Sequence, residues 1–415
     1  MRSLKATATA VTATLAAAAA AAAAAGIVAG RIASNAALKA PPGTPFPGDP
    51  DLTVHATTPG RITLTRDLAA LRPGTYGLTG DDTHARVGPV LPTEPHSADT
   101  VVRRLDHVTG TLHPGDKVRL TPNVHVGDPS SALGLDHTDI DIVGELGPLP
   151  AWFVPGVRDT WVITVHGLGA TREHALNVME FLHHHRFPVL TPTYRGDEGA
   201  PRSPDGLHHF GETEWRDLDA AMRHAVQQGA RQLVLLGWST GATMALRATA
   251  RSPLRDRVKG LVLDSPVLSW ERTLRALAAA RHTPGPLLPL AVRAAQGRTG
   301  LPSDNFGLYA DRTPPYTETT PDHPTTPHPT TNHPAPTPPT PPTPPPSPHP
   351  PPPPTLIFHG PDDLVAPWTL SRHLAAAHPD RITLHPVHQA PHAAMWNADP
   401  RAYEETLRRF LTPLM

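Results

Sequence analysis

Gly237-Trp238-Ser239-Thr240-Gly241 is the stretch of this chain whose residue types and spacing could carry out chemistry. A serine with glycine two residues to either side suits a nucleophile. On a sharp strand-to-helix turn the backbone is crowded, so those flanking positions must be small. A helix starting behind the serine favours the negative charge that develops when its oxygen attacks an acyl carbon. The apolar run Gln232-Leu233-Val234-Leu235-Leu236 precedes the pentapeptide, and Ala242-Thr243-Met244-Ala245-Leu246-Arg247-Ala248 follows it with helical composition. Acyl transfer needs two further parts: a base oriented by an acid, and N–H donors for the oxyanion.

Both parts have candidates. His166-Gly167-Leu168-Gly169 closes the apolar run Trp161-Val162-Ile163-Thr164-Val165. The backbone N–H groups of Leu168 and Thr240 are therefore the expected oxyanion donors. Thr355-Leu356-Ile357-Phe358 leads into His359-Gly360-Pro361-Asp362-Asp363-Leu364-Val365-Ala366-Pro367. An aspartate at the C-terminal end of a strand lies where α/β sheets assemble their sites. Asp363 is the favoured acid, at the last position of H-G-x-x-D; its neighbour Asp362 and the more distant Asp264 are the alternatives. His392 is the expected base, giving the chain order Ser, Asp, His. His378, His385 and His388 lie nearby, but only His392 heads Ala393-Ala394-Met395-Trp396-Asn397-Ala398-Asp399-Pro400 before a closing helix.

These residues need a scaffold, and the rhythm of the chain supplies one. From about Asp139 onward, apolar runs alternate with helix-like stretches, at Trp161–Val165, Pro188–Thr191, Thr213–Gln228, Lys259–Leu263, Thr355–Phe358 and Pro400–Leu411. That alternation predicts an α/β fold with a mostly parallel central sheet flanked by helices. Trp270–Gln296 reads as two short helices broken at Pro284-Gly285-Pro286, a small cap over the site. Before this region, short alternating bursts such as Arg61-Ile62-Thr63-Leu64, punctuated by Pro59-Gly60, Pro73-Gly74 and Pro114-Gly115, predict a β-rich module. The expected organisation is an N-terminal segment over residues 1–40, the β-rich module over 41–145 and the α/β domain over 146–415. The cap spans 267–312 of the latter.

Proline and threonine make up 32 of the 42 residues from 313 to 354. Such a tract cannot supply helix or strand hydrogen bonds and reads as an exposed insertion. It is either a glycosylated or partner-binding arm or a repeat expansion without function. Ser239 and Asp363 are 124 residues apart, and without the tract the separation falls to 82, a length that one strand and a cap fill.

Composition removes other chemistries. Lysine plus arginine (36) balances aspartate plus glutamate (37), so no charged face for nucleic acid is expected. There is no cysteine, which excludes disulfides, thiolate metal sites and cysteine nucleophiles. His183-His184-His185 reads as a solvated helix end, because adjacent helical side chains diverge. Glu214, Asp217 and Asp219 read as complements to a helix dipole, and Asp197-Glu198 as a loop at the site entrance or on the surface. No metal or organic cofactor is implied.

At the N-terminus, Arg2 and Lys5 precede 25 uncharged residues, Ala6 to Gly30. As a helix this run would be about 37 Å long, enough for the roughly 30 Å hydrocarbon core of a bilayer. A membrane anchor with the body outside the cell is expected. A cleaved signal, which would leave the protein secreted, and an alanine-rich extension are the alternatives.

From about Gly147 onward, two thirds of the chain resembles the α/β-hydrolases, in particular bacterial serine aminopeptidase-like and prolyl-oligopeptidase-like members. The resemblance rests on Pro150-Ala151-Trp152, Tyr194-Arg195-Gly196-Asp197-Glu198-Gly199, Gly237-Trp238-Ser239 and Trp396-Asn397-Ala398-Asp399-Pro400. Similar proteins often begin with a membrane segment. Two departures stand out: Pro391 before the histidine, where relatives usually have glycine, and Thr240, where a larger apolar residue is common. The expected activity is hydrolysis of a small-molecule ester through an acyl-serine. Cleavage of short peptides by the same residues is the alternative among enzymes, and a silent interaction module is the rival from another class.

Overall fold

The computed structural model describes residues 38, 49–94, 97–280, 284–301 and 353–415. The N-terminal tract and residues 313–352 of the proline/threonine tract therefore lie outside the described residues. Among the described residues, no helix is long and apolar enough to cross a membrane.

Six antiparallel strands come first: β1 Leu52–Thr58, β2 Arg61–Thr65, β3 Tyr76–Thr79, β4 His84–Val90, β5 Thr100–Thr109 and β6 Lys117–Thr121. They close into a barrel in the order β1-β2-β5-β4-β3-β6. Closure leaves no free edge, and the alternation of each strand sends Leu52, Val54, Ile62, Leu64, Leu78, Val118 and Leu120 inward.

The second body is an eight-stranded sheet of β7 Thr138–Val143, β8 Pro148–Val154, β9 Thr160–Val165, β10 Val189–Pro192, β11 Gln232–Trp238, β12 Val258–Asp264, β13 Thr355–His359 and β14 Ile382–Pro386. Its order is β14-β13-β12-β11-β9-β10-β8-β7. The strands from β14 through to β10 run parallel, and β8 and β7 add an antiparallel edge. The α/β fold and its β-rich N-terminal module are thus as expected. The sheet starts earlier than residue 146, because β7 already pairs with β8 from Thr138 to Val143.

β9, β11 and β13 are buried along their whole length except for a half-buried Gln232. Helices on both faces produce that burial, which is why these strands read as continuous apolar runs rather than alternating ones. Separate apolar cores lie on the two faces, one with the helices Trp215–Gln227 and Thr240–Arg251, the other with Leu176–His184 and Pro400–Leu411. The cap helices Trp270–Ala280 and Leu288–Thr299 share a smaller apolar cluster with Leu207, Phe210, Val365 and Ala366, at the C-terminal end of the sheet.

Candidate active site

Ser239 stands between β11 and the helix Thr240–Arg251 with φ +53° and ψ −117°, a conformation that L-residues rarely adopt. The two glycines explain how the turn closes. A Cβ on Gly237 would lie 2.6 Å from Ala242 N, and one on Gly241 would lie 2.2 Å from Val165 O. No side chain fits at either place. The strain aims Ser239 Oγ at the C-terminal end of the sheet, beyond the point where β11 pairs with β9 and β12.

His392 Nε2 lies 2.7 Å from Ser239 Oγ, and His392 Nδ1 lies 2.7 Å from Asp363 Oδ2. Two residues in left-handed conformation, Gln389 (φ 57°) and Ala393 (φ 54°), bracket the loop that carries His392. Pro391, the departure from the usual pattern, leaves the histidine within reach of both partners.

Asp363 is buried and fully engaged. Its Oδ1 accepts the N–H groups of Val365 and Ala366, each at 2.8 Å, and its Oδ2 accepts from His359 Nε2 at 3.0 Å as well as from His392. Burial alone would raise this carboxyl, but the charge of His392 and the hydrogen bond from His359 outweigh it and hold the group below the usual carboxylate range. It stays ionised at any pH where a histidine base works.

The two other acids are placed elsewhere. Asp362 is exposed and accepts the Gln389 N–H at 2.7 Å, tying its loop to that of the histidine. Asp264 is fully buried at the end of β12, and its Oδ1 accepts from Ser265 Oγ at 3.0 Å. Burial pushes the Asp264 carboxyl well above its ordinary range, with the Asp363 charge adding to the effect. Ser265 Oγ in turn accepts the Ala393 N–H at 2.9 Å, which anchors the histidine loop to the sheet.

The expected oxyanion donors lie side by side, but one is already bonded: Leu168 N–H donates to Thr240 Oγ1 at 2.8 Å. Thr240 N–H opens a helix, where the first turn has no intrahelical acceptor. The polar residue that departs from the usual pattern thus caps one of the two donors. Thr240→Val removes that acceptor at nearly constant volume, and an oxyanion then meets a free Leu168 N–H. A net hydrogen bond of about 1 kcal/mol corresponds to roughly a fivefold rise in kcat/KM on a nitrophenyl ester. A tenfold fall would instead make the hydroxyl itself a donor to the oxyanion.

Sequence reasoning missed the residues that hold this loop. His166 is buried, pairs through Nε2 with Asp197 Oδ2 at 3.0 Å, and stacks on Tyr194 with ring centroids 4.5 Å apart. Tyr194 hydroxyl donates to Gly167 O at 3.0 Å. His359 was also missed, although it opens the quoted H-G-x-x-D string four residues before the acid it bonds. Glu214 and Asp217 do stand at the start of the helix Trp215–Gln227, but these acids also have partners that the dipole reading did not include. Asp217 forms a buried two-pronged pair with Arg195, Glu214 accepts the N–H groups of His209 and Gly211, and Asp219 accepts from Ser252 Oγ. Their partners are distant in sequence or in a loop, which helical position alone cannot indicate.

A cavity of about 710 Å³ opens beside the Leu168 loop, lined in part by Trp152, His166, Leu168, Arg172, Tyr194 and Asp197. The Asp197-Glu198 loop borders it.

A family model described as "Alpha/beta hydrolase family" matches residues 162–406, a span that runs from β9 past the histidine loop. The chain belongs to the alpha/beta hydrolase family. Ahead of the hydrolase region, a second family model, "Domain of unknown function (DUF8805)", matches residues 53–121, the span of the barrel. No curated protein matches the chain. Among solved structures, this hydrolase is similar to an esterase of Pyrococcus furiosus, at 18% identity and a TM-score of 0.51, over 69% of this chain and 95% of that one. It is also similar to an esterase of Pyrobaculum calidifontis, at 16% identity and a TM-score of 0.43, over 67% and 86%. A thermophilic esterase of Thermogutta terrifontis aligns at 18% identity and a TM-score of 0.41, over 66% and 98%. At such identities the likeness is one of fold.

Proposed function

We propose that this hydrolase cleaves carboxylic esters of small molecules by acyl transfer to water, with Ser239, His392 and Asp363 as its catalytic residues. The observation that carries the reading is the unbroken series Ser239 Oγ, His392 Nε2 and Nδ1, Asp363 Oδ2, with both hydrogen bonds at 2.7 Å. His392 takes the Ser239 proton as Oγ attacks the acyl carbon, and Asp363 fixes the tautomer and stabilises the imidazolium. Thr240 N–H receives the oxyanion, and Leu168 N–H joins it by giving up its bond to Thr240 Oγ1. The imidazolium then protonates the leaving alkoxide, and a water deprotonated by His392 attacks the acyl-serine and releases the acid.

Esters are favoured over peptides because the fold-similar Pyrococcus protein is an esterase. The test is a panel of nitrophenyl esters and aminoacyl amides given to the purified protein, alongside fluorophosphonate labelling. Ester turnover with labelling supports the reading. Faster turnover of the amides would move the substrate to short peptides, as the motifs shared with serine aminopeptidase-like members suggest. An unlabelled folded protein would favour a silent interaction module.

Residues 6–30 enter the same proposal as a membrane anchor that leaves the hydrolase outside the cell. Its support is the charge-free, alanine-rich run alone, and recovery of the full-length chain in the alkaline wash of membranes would sink it.

A further inference from the structure

The barrel buries a guanidinium. Arg103 on β5 is 0% exposed and donates to four backbone carbonyls, those of Ala70, Arg72, Gly74 and Gly88, at 2.7 to 2.9 Å. Burial lowers it to about 10, so it remains a cation at neutral pH. A buried charge held by carbonyls is an expensive way to fill a barrel. What it achieves is a fixed loop between β2 and β3, since three of the four carbonyls belong to residues 70–74.

That loop ends on the histidine side of the hydrolase. Thr75 N–H donates to Asn397 O at 2.8 Å, and Asn397 Nδ2 donates to Thr75 O and to Pro122 O, both at 2.9 Å. Asn397 is wholly buried. Its amide orientation is settled by these partners, because the reverse would set Oδ1 against two carbonyl oxygens. Gly74 has φ +87°, and a Cβ there would lie 2.0 Å from Asn397 O, so the barrel backbone touches the helix Met395–Ala398 with no space between. Ala394, two residues after His392, belongs to the apolar core of the barrel. The segment after His392 is thus held on one side by Ser265 of the sheet and on the other by the barrel.

We propose that the barrel braces the general base: Asn397, Gly74 and Arg103 are positioning residues that fix the loop carrying His392. The inference rests on the catalytic reading of His392 given above. A base displaced by about 1 Å can cost about 100-fold in rate, so the brace acts on turnover and leaves substrate binding alone.

A second tie between the two bodies provides the control. Asn177 Nδ2 donates to the same Pro122 O, at 2.8 Å, and Asn177 Oδ1 accepts Val124 N–H, but Asn177 lies on the helix Leu176–His184 and not on the segment that follows His392. The experiment compares Asn397→Ala, Gly74→Ala, Arg103→Lys and Asn177→Ala with wild type for kcat and KM on a nitrophenyl ester, fluorophosphonate labelling rate and Tm. Asn397→Ala and Gly74→Ala are expected to lower kcat and labelling rate tenfold or more, with KM within twofold. Arg103→Lys keeps the buried charge but reaches fewer carbonyls, and gives the same split in milder form; it serves where another variant does not fold. Asn177→Ala loses Tm but keeps kcat within threefold. If all the folded variants lose kcat only in proportion to Tm, or keep it, the brace is overturned while the catalytic reading stands. A wild type that neither labels nor turns over overturns both.

Discussion

Ser239→Ala is expected to reduce ester turnover by about a millionfold and to abolish fluorophosphonate labelling, the scale seen when a serine nucleophile acting in concert with its base is removed. The structure predicts that this loss is chemical and not a failure to fold. Alanine adopts the strained φ of +53° no worse than serine does, and the glycines that permit the turn are untouched. The substitution removes the bond to His392 Nε2 and leaves His392 held by Asp363. Residual turnover should therefore have the pH dependence of the background reaction. Turnover within tenfold of wild type would move the nucleophile elsewhere.

Asp363→Asn is expected to lower kcat about ten-thousandfold with the fold retained, as when an acid that orients a histidine loses its charge. Oδ2 now accepts from both His392 Nδ1 and His359 Nε2. Oδ1 accepts two backbone N–H groups, so an asparagine must keep its oxygen there and turn its amide nitrogen toward the histidines. Donor then faces donor, and His392 escapes by placing its proton on Nε2, which leaves Ser239 without a base. The companion variants make the prediction specific. Asp362→Asn, at an exposed site bonded to Gln389 N–H, should leave kcat within twofold. Asp264 bonds Ser265 Oγ and not His392, so Asp264→Asn should stay within tenfold. Equal losses at Asp363 and either neighbour would refute the assignment of the acid.

The chemistry of this chain was more legible than its support. The glycines around Ser239 and the parallel strands report local backbone geometry and burial on two faces, and both leave marks in short windows of sequence. Closure of the barrel does not, because alternating bursts describe a strand's two faces and are silent on which strands pair around the ring. Trp396-Asn397-Ala398-Asp399-Pro400 was visible as a motif, yet the role of Asn397 depends on Thr75, 322 residues away. Thr240 was noted as a departure, but only the fold brings its hydroxyl to Leu168 N–H. His359, by contrast, was within reach of reading, four residues from its partner.

The contact between Asn397 and Pro122 joins positions 275 residues apart. A ribosome adding 5–20 residues per second needs roughly 15–55 s to cover that distance. The barrel therefore emerges long before its docking partner and waits with Gly74, Thr75 and Pro122 uncovered. His392 can be set in place only after Asn397 has been made and has docked on Thr75 and Pro122. On the proposed reading, Ser239 is made 153 residues before His392, so the nucleophile waits for its base and activity begins only after the two bodies have docked.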